Sequence, residues 1–438
     1  MAILSCDTMV ALGNSTKNGN TIFAKNSDRP LLESQPLVIY EAEDHEKGEM
    51  VNCTYISIPQ VSHTYKVLGS KPYWIWGLEH GMNEFNVCIG NEAVWSRESE
   101  EKTNGLLGMD LLRLGLERGR TAYESMHIII DLLETYGQGG NAAVNMEHRY
   151  CNAFLLADCN EAWILETCNR RWIAKKVKDV AGISNCYSIE TEWDEASSDI
   201  KEHAYNEGWI SRDVPFNFAK AYTSMNLKLR AALPRKERLN KLLNQAKGNI
   251  TIDTMRRIQR DHFEGEIIAP RWNPADGIYV SICMHAMMES SSETAASSQI
   301  ELSDGSNNIW WHAFGLPCIS VYAPYSINCK VPKEISVGGK IYSDDSVWWR
   351  FEKLQKEIEK DYGTRSSEWR EDIEKLEAEF IDSVERDGLT SDAVEQNTTM
   401  LLKKVEDMYS KIRKENKPIV DCEHMDINAY ERINSGLD

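Results

Sequence analysis

Two β-forming runs meet at an Asn-Gly step near the start of the chain, and that step constrains how its first strands can pair. Asp7-Thr-Met-Val-Ala-Leu12 and Thr21-Ile-Phe-Ala-Lys25 flank Lys17-Asn-Gly-Asn20. Asn18-Gly19 tolerates the positive φ angles that a tight hairpin needs. A hairpin here lays residues 25–28 back towards Cys6. Asn26-Ser-Asp-Arg-Pro30 comes next with turn-forming residues, which predicts a break in the second strand.

Beyond the hairpin, blocks of strand and helix alternate. Tyr55–Ile58, Trp74–Trp76 and Val87–Gly90 read as short strands. Leu106–Arg118 carries leucines at helical spacing. Thr121–Tyr136 opens on Thr121 and Glu124, a capping box, and stops at Gly137. Its apolar Met126, Ile129, Ile130 and Leu133 fall on one face. Strands resume at Asn152–Ala157, Ala162–Glu166, Trp172–Val177 and Gly182–Asn185. Residues 195–265 are charged and mostly helical, and strands return at 277–287 and 308–325. From 344 to 417 the chain is again charged and helical, read as two solvated helices packed by one face, with a partner-binding hairpin as the alternative. This order gives an α+β fold of stacked layers.

Composition narrows the function. The 438 residues carry a net charge of −19, which disfavours sequence-independent binding to phosphate backbones. No apolar run approaches the length of a membrane span. Met1–Cys6 lacks a basic start and Asp7 interrupts its apolar run, so no export signal is expected. The eleven cysteines are scattered with no Cys-x-x-Cys, which points to a reducing, cytoplasmic setting and to neither a disulfide framework nor a zinc site. Walker, G-x-S-x-G, H-E-x-x-H and G-x-G-x-x-G patterns are all missing. Neither a cofactor nor a metal is expected.

Cys6 is the residue with the most chemical promise. On position alone it reads as a buried strand residue. Were residues 1–5 removed, it would carry a free α-amine, whose pKa of about 7.7–8.0 leaves a useful neutral fraction to act as base. Nucleophile and base would then share one residue.

Cys6-Asp-Thr-Met-Val-Ala-Leu12 and Ile22-Phe-Ala-Lys-Asn-Ser-Asp-Arg29 strongly resemble the opening of the secernins, within the cysteine dipeptidase family C69 of the N-terminal-nucleophile hydrolases. The likeness continues through Trp74–Glu79, Gly81–Glu84, Ile89–Trp95, Leu107–Arg118, Tyr136–Asn141, Glu161–Thr167 and Ile183–Asn185. It implies a four-layer αββα sandwich, with residues 1–5 an autocleaved propeptide, 6–343 the hydrolase core and 344–438 a charged helical addition and tail. That addition carries 15 basic and 25 acidic side chains, so it holds about half of the net charge.

The resemblance also assigns roles. Cys6 is the implied nucleophile. Asp28 matches an aspartate that contacts its amine or thiol, and Asn185 an asparagine that positions the amine or the substrate. Arg235 is favoured over Arg238 as the active-site arginine. Lys25 stands where related bile-salt and penicillin acylases often carry Arg, and Asn91 matches an oxyanion donor; both are read as substrate-binding. The implied activity is a dipeptidase or other hydrolase of small amides. The alternatives are an N-acyl amide hydrolase and a secernin-type cytosolic regulator of secretion with little turnover. The implied partner is a small peptide or amide, with homo-oligomerisation left open.

Overall fold

The computed structural model describes residues 5–98, 102–144, 147–224, 228–266, 280–286, 292–305 and 308–415. Two antiparallel sheets form its centre. The strands of the first are β1 (Cys6–Ala11), β2 (Thr21–Pro30), β14 (Val180–Ile183), β16 (Ser292–Leu302), β17 (Trp310–Phe314) and β18 (Ala323–Tyr325). They lie in the order β14-β1-β2-β16-β17-β18. The second sheet contains β3 (Leu37–Tyr40), β8 (Val67–Ser70), β9 (His80–Asn83), β10 (Cys88–Val94), β11 (Cys151–Ala157), β12 (Ala162–Cys168), β13 (Arg171–Lys176) and β15 (Glu195–Ala196). Its order is β15-β13-β12-β11-β10-β9-β8-β3. Two minor ladders pair β4 (Glu43–Asp44) with β7 (His63–Thr64), and β5 (Met50–Asn52) with β6 (Ser57–Pro59).

Period-two alternation builds the layers. In β1 and β2, Val10 and Phe23 point between the sheets, into a cluster shared with Leu68, Met82, Cys88 and Leu155. Met9, Ala11, Ile22 and Ala24 point the other way, onto Leu239 and Leu243 of α5 (Lys228–Ala246) and Met255 of α6 (Ile252–Gln259). On the far face of the second sheet, Ile89, Phe154, Leu156 and Leu165 pack on α1 (Gly108–Arg118) and α2 (Ala122–Tyr136). The result is four layers, helix-sheet-sheet-helix, as the sequence reading expects. The remaining helices are α3 (Ile200–Asn206), α4 (Phe218–Tyr222), α7 (Lys333–Ser336), α8 (Val347–Glu359), α9 (Tyr362–Asp387) and α10 (Ser391–Glu415). Among the described residues, no helix is long and apolar enough to cross a membrane.

Several expectations change. Asn26–Pro30 does not break β2. Its backbone groups pair with β16 on one side, from Thr21 opposite Leu302 to Pro30 opposite Ser292, with an irregularity between Thr294 and Ala296. Cross-strand pairing thus overrides local turn chemistry, and Pro30 is tolerated because it ends the strand. Trp74–Trp76 is not a strand: the Ile75 N–H turns back to Pro72, and the Trp74 indole donates to Glu33 at 2.9 Å. Residues 281–286 are irregular, while 277–279 and 287 lie outside the described residues.

The expected pair of C-terminal helices is three, α8 to α10. Their inner faces are not a thin stripe on solvated helices. Trp348, Trp349, Phe351, Trp369, Phe380, Leu401 and Met408 belong to the same apolar cluster as the inner faces of the sheets. Trp348 and Trp369 anchor this packing by donating their indole N–H groups to Ala295 at 2.8 Å and Ile319 at 3.0 Å.

Candidate active site

Cys6 begins β1 and lies opposite Ser27 in the hairpin ladder. Alternation sends the Cys6 and Thr8 side chains towards the second sheet and the Asp7 side chain towards α5. Ser5 and Cys6 are both buried. The backbone N–H of Cys6 donates to Asn185 Oδ1 at 2.8 Å. The backbone N–H of Asp28 lies 3.4 Å from Cys6 Sγ. Each Asp28 carboxylate oxygen accepts from a hydroxyl: Ser5 at 2.6 Å and Thr294 at 2.7 Å.

Arg235 closes the cluster from α5. Its Nη1 donates to Asp7 at 2.6 Å and to the Cys6 carbonyl at 3.3 Å, and its Nη2 donates to Asn185 Oδ1 at 2.7 Å. Asn185, just past β14, donates in turn to the Ala93 carbonyl at 2.9 Å. Arg238, one turn along the helix, faces away and pairs with Asp261 and Glu266. Of the two arginines weighed from the sequence, Arg235 is the one beside Cys6.

Lys25 and Asn91 reach the same region from β2 and β10. Lys25 Nζ donates to the Asn91 carbonyl at 2.5 Å and lies 3.4 Å from Glu92 Oε1, which also accepts from Thr8. Gly90 makes room for this: a Cβ there would stand 2.7 Å from Lys25 Cδ and 2.9 Å from Thr8 Oγ1. The Asn91 amide packs against Asn152 at 3.1 Å and against Glu79. Behind it, Arg29 binds Glu79 at 2.9 Å and Glu33 at 2.6 Å.

Burial dominates the electrostatics. It pushes the Cys6 thiol well above its ordinary range; Lys25 opposes this, while Glu79, Asp28 and Glu92 add to it. Burial lifts the Asp28 carboxyl to about 7 against the pull of Arg235. It lifts Glu92 to about 7 against Lys25. For Lys25 burial works against the charge, but Cys6, Glu92, Glu79 and Asp28 together keep it firmly protonated.

Besides Cys6, sequence reasoning names five residues here: Asp28, Asn185 and Arg235 touch Cys6, Lys25 acts on its thiol through charge, and Asn91 meets Lys25 by its carbonyl while its amide turns to Asn152. Sequence reasoning misses Asp7, Thr294, Glu92 and Ser5. Asp7 adjoins the cysteine and Glu92 is next to Asn91, so neighbourhood was a usable signal for both. Thr294 carries no local signal, because only the β2–β16 pairing brings it to Asp28.

The model of peptidase family C69 matches residues 5–236. This chain belongs to peptidase family C69. The C69 chain is thus an amide-hydrolysing enzyme. Among solved structures it is similar to the C2A mutant of conjugated bile acid hydrolase from Clostridium perfringens (12% identity, 70% of this chain and 89% of that one, TM-score 0.38). It is also similar to penicillin V acylase from Agrobacterium tumefaciens (13% identity, 70% and 83%, TM-score 0.37). A third similar structure is the Caenorhabditis elegans ortholog of N-acylethanolamine-hydrolyzing acid amidase (10% identity, 68% and 92%, TM-score 0.36).

Proposed function

We propose that this C69 chain is a cysteine dipeptidase of the N-terminal-nucleophile type, with Cys6 as nucleophile once the Ser5–Cys6 bond is cut. The observation that carries the proposal is the bond from the Cys6 nitrogen to Asn185 Oδ1, an oxygen that Arg235 also holds. After cleavage that nitrogen is an α-amine. Asn185 Oδ1 accepts a hydrogen bond from one of its N–H groups and so orients its lone pair. The nearby guanidinium disfavours a second positive charge, which keeps the amine neutral and basic near pH 7.

Maturation uses the same groups. The Cys6 thiol loses its proton and attacks the Ser5 carbonyl carbon. The C–N bond to Cys6 breaks, the nitrogen takes a proton, and a thioester remains. Water hydrolyses it, which releases residues 1–5 as a carboxylate and restores the thiol.

Turnover then repeats the chemistry on substrate. The amine takes the thiol proton, and the thiolate attacks the scissile carbonyl. Asn91 and backbone N–H groups stabilise the oxyanion, with Lys25 supplying positive charge near the sulphur. The ammonium returns its proton to the leaving nitrogen, and water cleaves the thioester. Asp28 supports a substrate with a free amino terminus. Its carboxylate meets hydroxyls, not a cation, at both oxygens, and cleavage removes one of them. That leaves an anion suited to an α-ammonium group.

Two measurements test this. Intact mass should show the wild-type chain lacking residues 1–5 and Cys6→Ala retaining them; an unshortened wild-type chain refutes the nucleophile assignment. Matched dipeptides and their N-acylated forms should then separate the substrates. Cleavage of the free-amine forms is expected, and turnover of the N-acyl forms alone would make the enzyme an N-acyl amide hydrolase.

A further inference from the structure

His262, Cys283, His285 and Cys318 come together from three separate pieces of chain. His262 lies just past α6, Cys283 and His285 lie on the irregular segment 281–286, and Cys318 lies in the short turn Pro317–Ile319 beyond β17. One ligand atom from each falls within 4.8 Å of all the others, and all four residues are buried. His285 Nε2 is 3.2 Å from Cys318 Sγ and 3.7 Å from Cys283 Sγ. Ligand atoms around a tetrahedral zinc ion stand about 3.3–3.8 Å apart, given its bond lengths to sulphur and nitrogen. A small contraction of the cluster reaches that geometry.

We infer that these four residues form a structural zinc site. The surroundings are those of a metal-binding histidine pair, because each ring turns its other nitrogen to a carboxylate. His285 Nδ1 lies 2.8 Å from Glu359 Oε1, and His262 Nδ1 lies 3.3 Å from Glu264 Oε1. Such carboxylates fix the tautomer whose Nε2 lone pair can bind metal. Tyr362 adds a hydroxyl donated to Cys318 Sγ at 3.3 Å.

Two thiolates and two imidazoles are the ligand set of zinc, and four closed ligands leave no position for substrate. On binding, Cys283 and Cys318 yield any thiol protons to solvent, and both imidazoles are neutral. Two negative charges then meet a dication, so the buried site carries no net charge.

The site would bind parts of the fold that the sequence keeps apart. Glu359 ends α8 and Tyr362 begins α9, so the cluster joins the C-terminal helices to the sheet layers. It also lies beside the candidate active site. The backbone N–H of Met284 donates to Thr294 Oγ1 at 3.0 Å, and the same hydroxyl donates to Asp28.

The test is metal analysis of the full-length chain, grown in zinc-supplemented medium and desalted. One equivalent of zinc is expected, retained in Cys186→Ser and lost in Cys283→Ser and Cys318→Ser. Because cluster variants can fail to fold, wild-type chain is also stripped with a chelator and titrated with Co2+. Tetrahedral visible bands and thiolate charge-transfer absorption should saturate at one equivalent and vanish on adding Zn2+. Substoichiometric zinc together with no charge-transfer band overturns the inference. So does a full equivalent of zinc that persists in both serine variants.

Discussion

Replacing Asp28 by Asn removes a proton-binding group from the centre of the fold. Burial lifts this carboxyl from an ordinary 3.8 to about 7. The folded chain therefore holds a proton that the unfolded chain releases across that range, and folding stability must vary with pH. The contribution is full below about pH 4 and is lost as pH rises through about 7. A shift of about three units at about 1.4 kcal/mol each makes the loss about 4 kcal/mol. For 438 residues, an unfolding entropy of about 2 cal/mol/K per residue converts that to about 4 °C in Tm. The comparison is Cys6→Ala against Cys6→Ala/Asp28→Asn, so that Ser5 stays attached in both. Calorimetry should show the Tm of the double variant gaining about 4 °C on its parent between about pH 4 and pH 7. Glu92, also raised, is common to both chains and cancels. Parallel curves would refute the reasoning, and a gain in the opposite direction would mean that Arg235 outweighs burial.

Asn185→Leu removes the acceptor for the Cys6 nitrogen, so kcat on a dipeptide should fall by about 100-fold; a change confined to KM would contradict the role. Gly90→Ala forces a methyl against Lys25 and Thr8, at a cost of about 1–3 kcal/mol read as a lower Tm. Arg235→Met leaves the buried Asp7 carboxylate unpaired, at a cost of about 3–5 kcal/mol. Adding Asp7→Asn should recover part of that loss by calorimetry, because it removes the stranded charge.

Local signals were legible where local physics decides. The β1–β2 hairpin forms, but through the longer connection 12–20 with a short helical turn at Gly13–Ser15, not through a tight Asn18-Gly19 turn; Gly19 alone takes a positive φ, +79°. The Thr121 hydroxyl caps α2 by accepting from the Glu124 N–H, and Gly137 ends the helix at φ +74°. Cys6, Asp28, Asn185 and Arg235 were readable through family resemblance, since spacing alone cannot say which asparagine or arginine a fold brings to a cysteine. What depended on distant pairing was hidden. Asn26–Pro30 has turn chemistry and becomes strand only because β16 arrives beside it. The four residues proposed to hold zinc show none of the close cysteine spacing that reveals such sites in sequence. Charged patterning likewise hid the buried faces of α8 to α10, where Trp348, Trp349 and Trp369 sit among many acids and bases.

The position of β16 has a consequence for the order of events during synthesis. Cys6 is synthesised long before β16, yet Asp28 is held by Thr294, and β2 gains its second neighbour only from Ser292–Leu302. A nascent chain ending at residue 236, the limit of the family match, would have β2 as an open sheet edge. The proposed self-cleavage at Ser5–Cys6 is therefore expected only once synthesis has passed Leu302. Under that proposal an uncut N-terminus would report an unfinished sheet, and the nucleophile would stay silent while unfolded peptide is nearby.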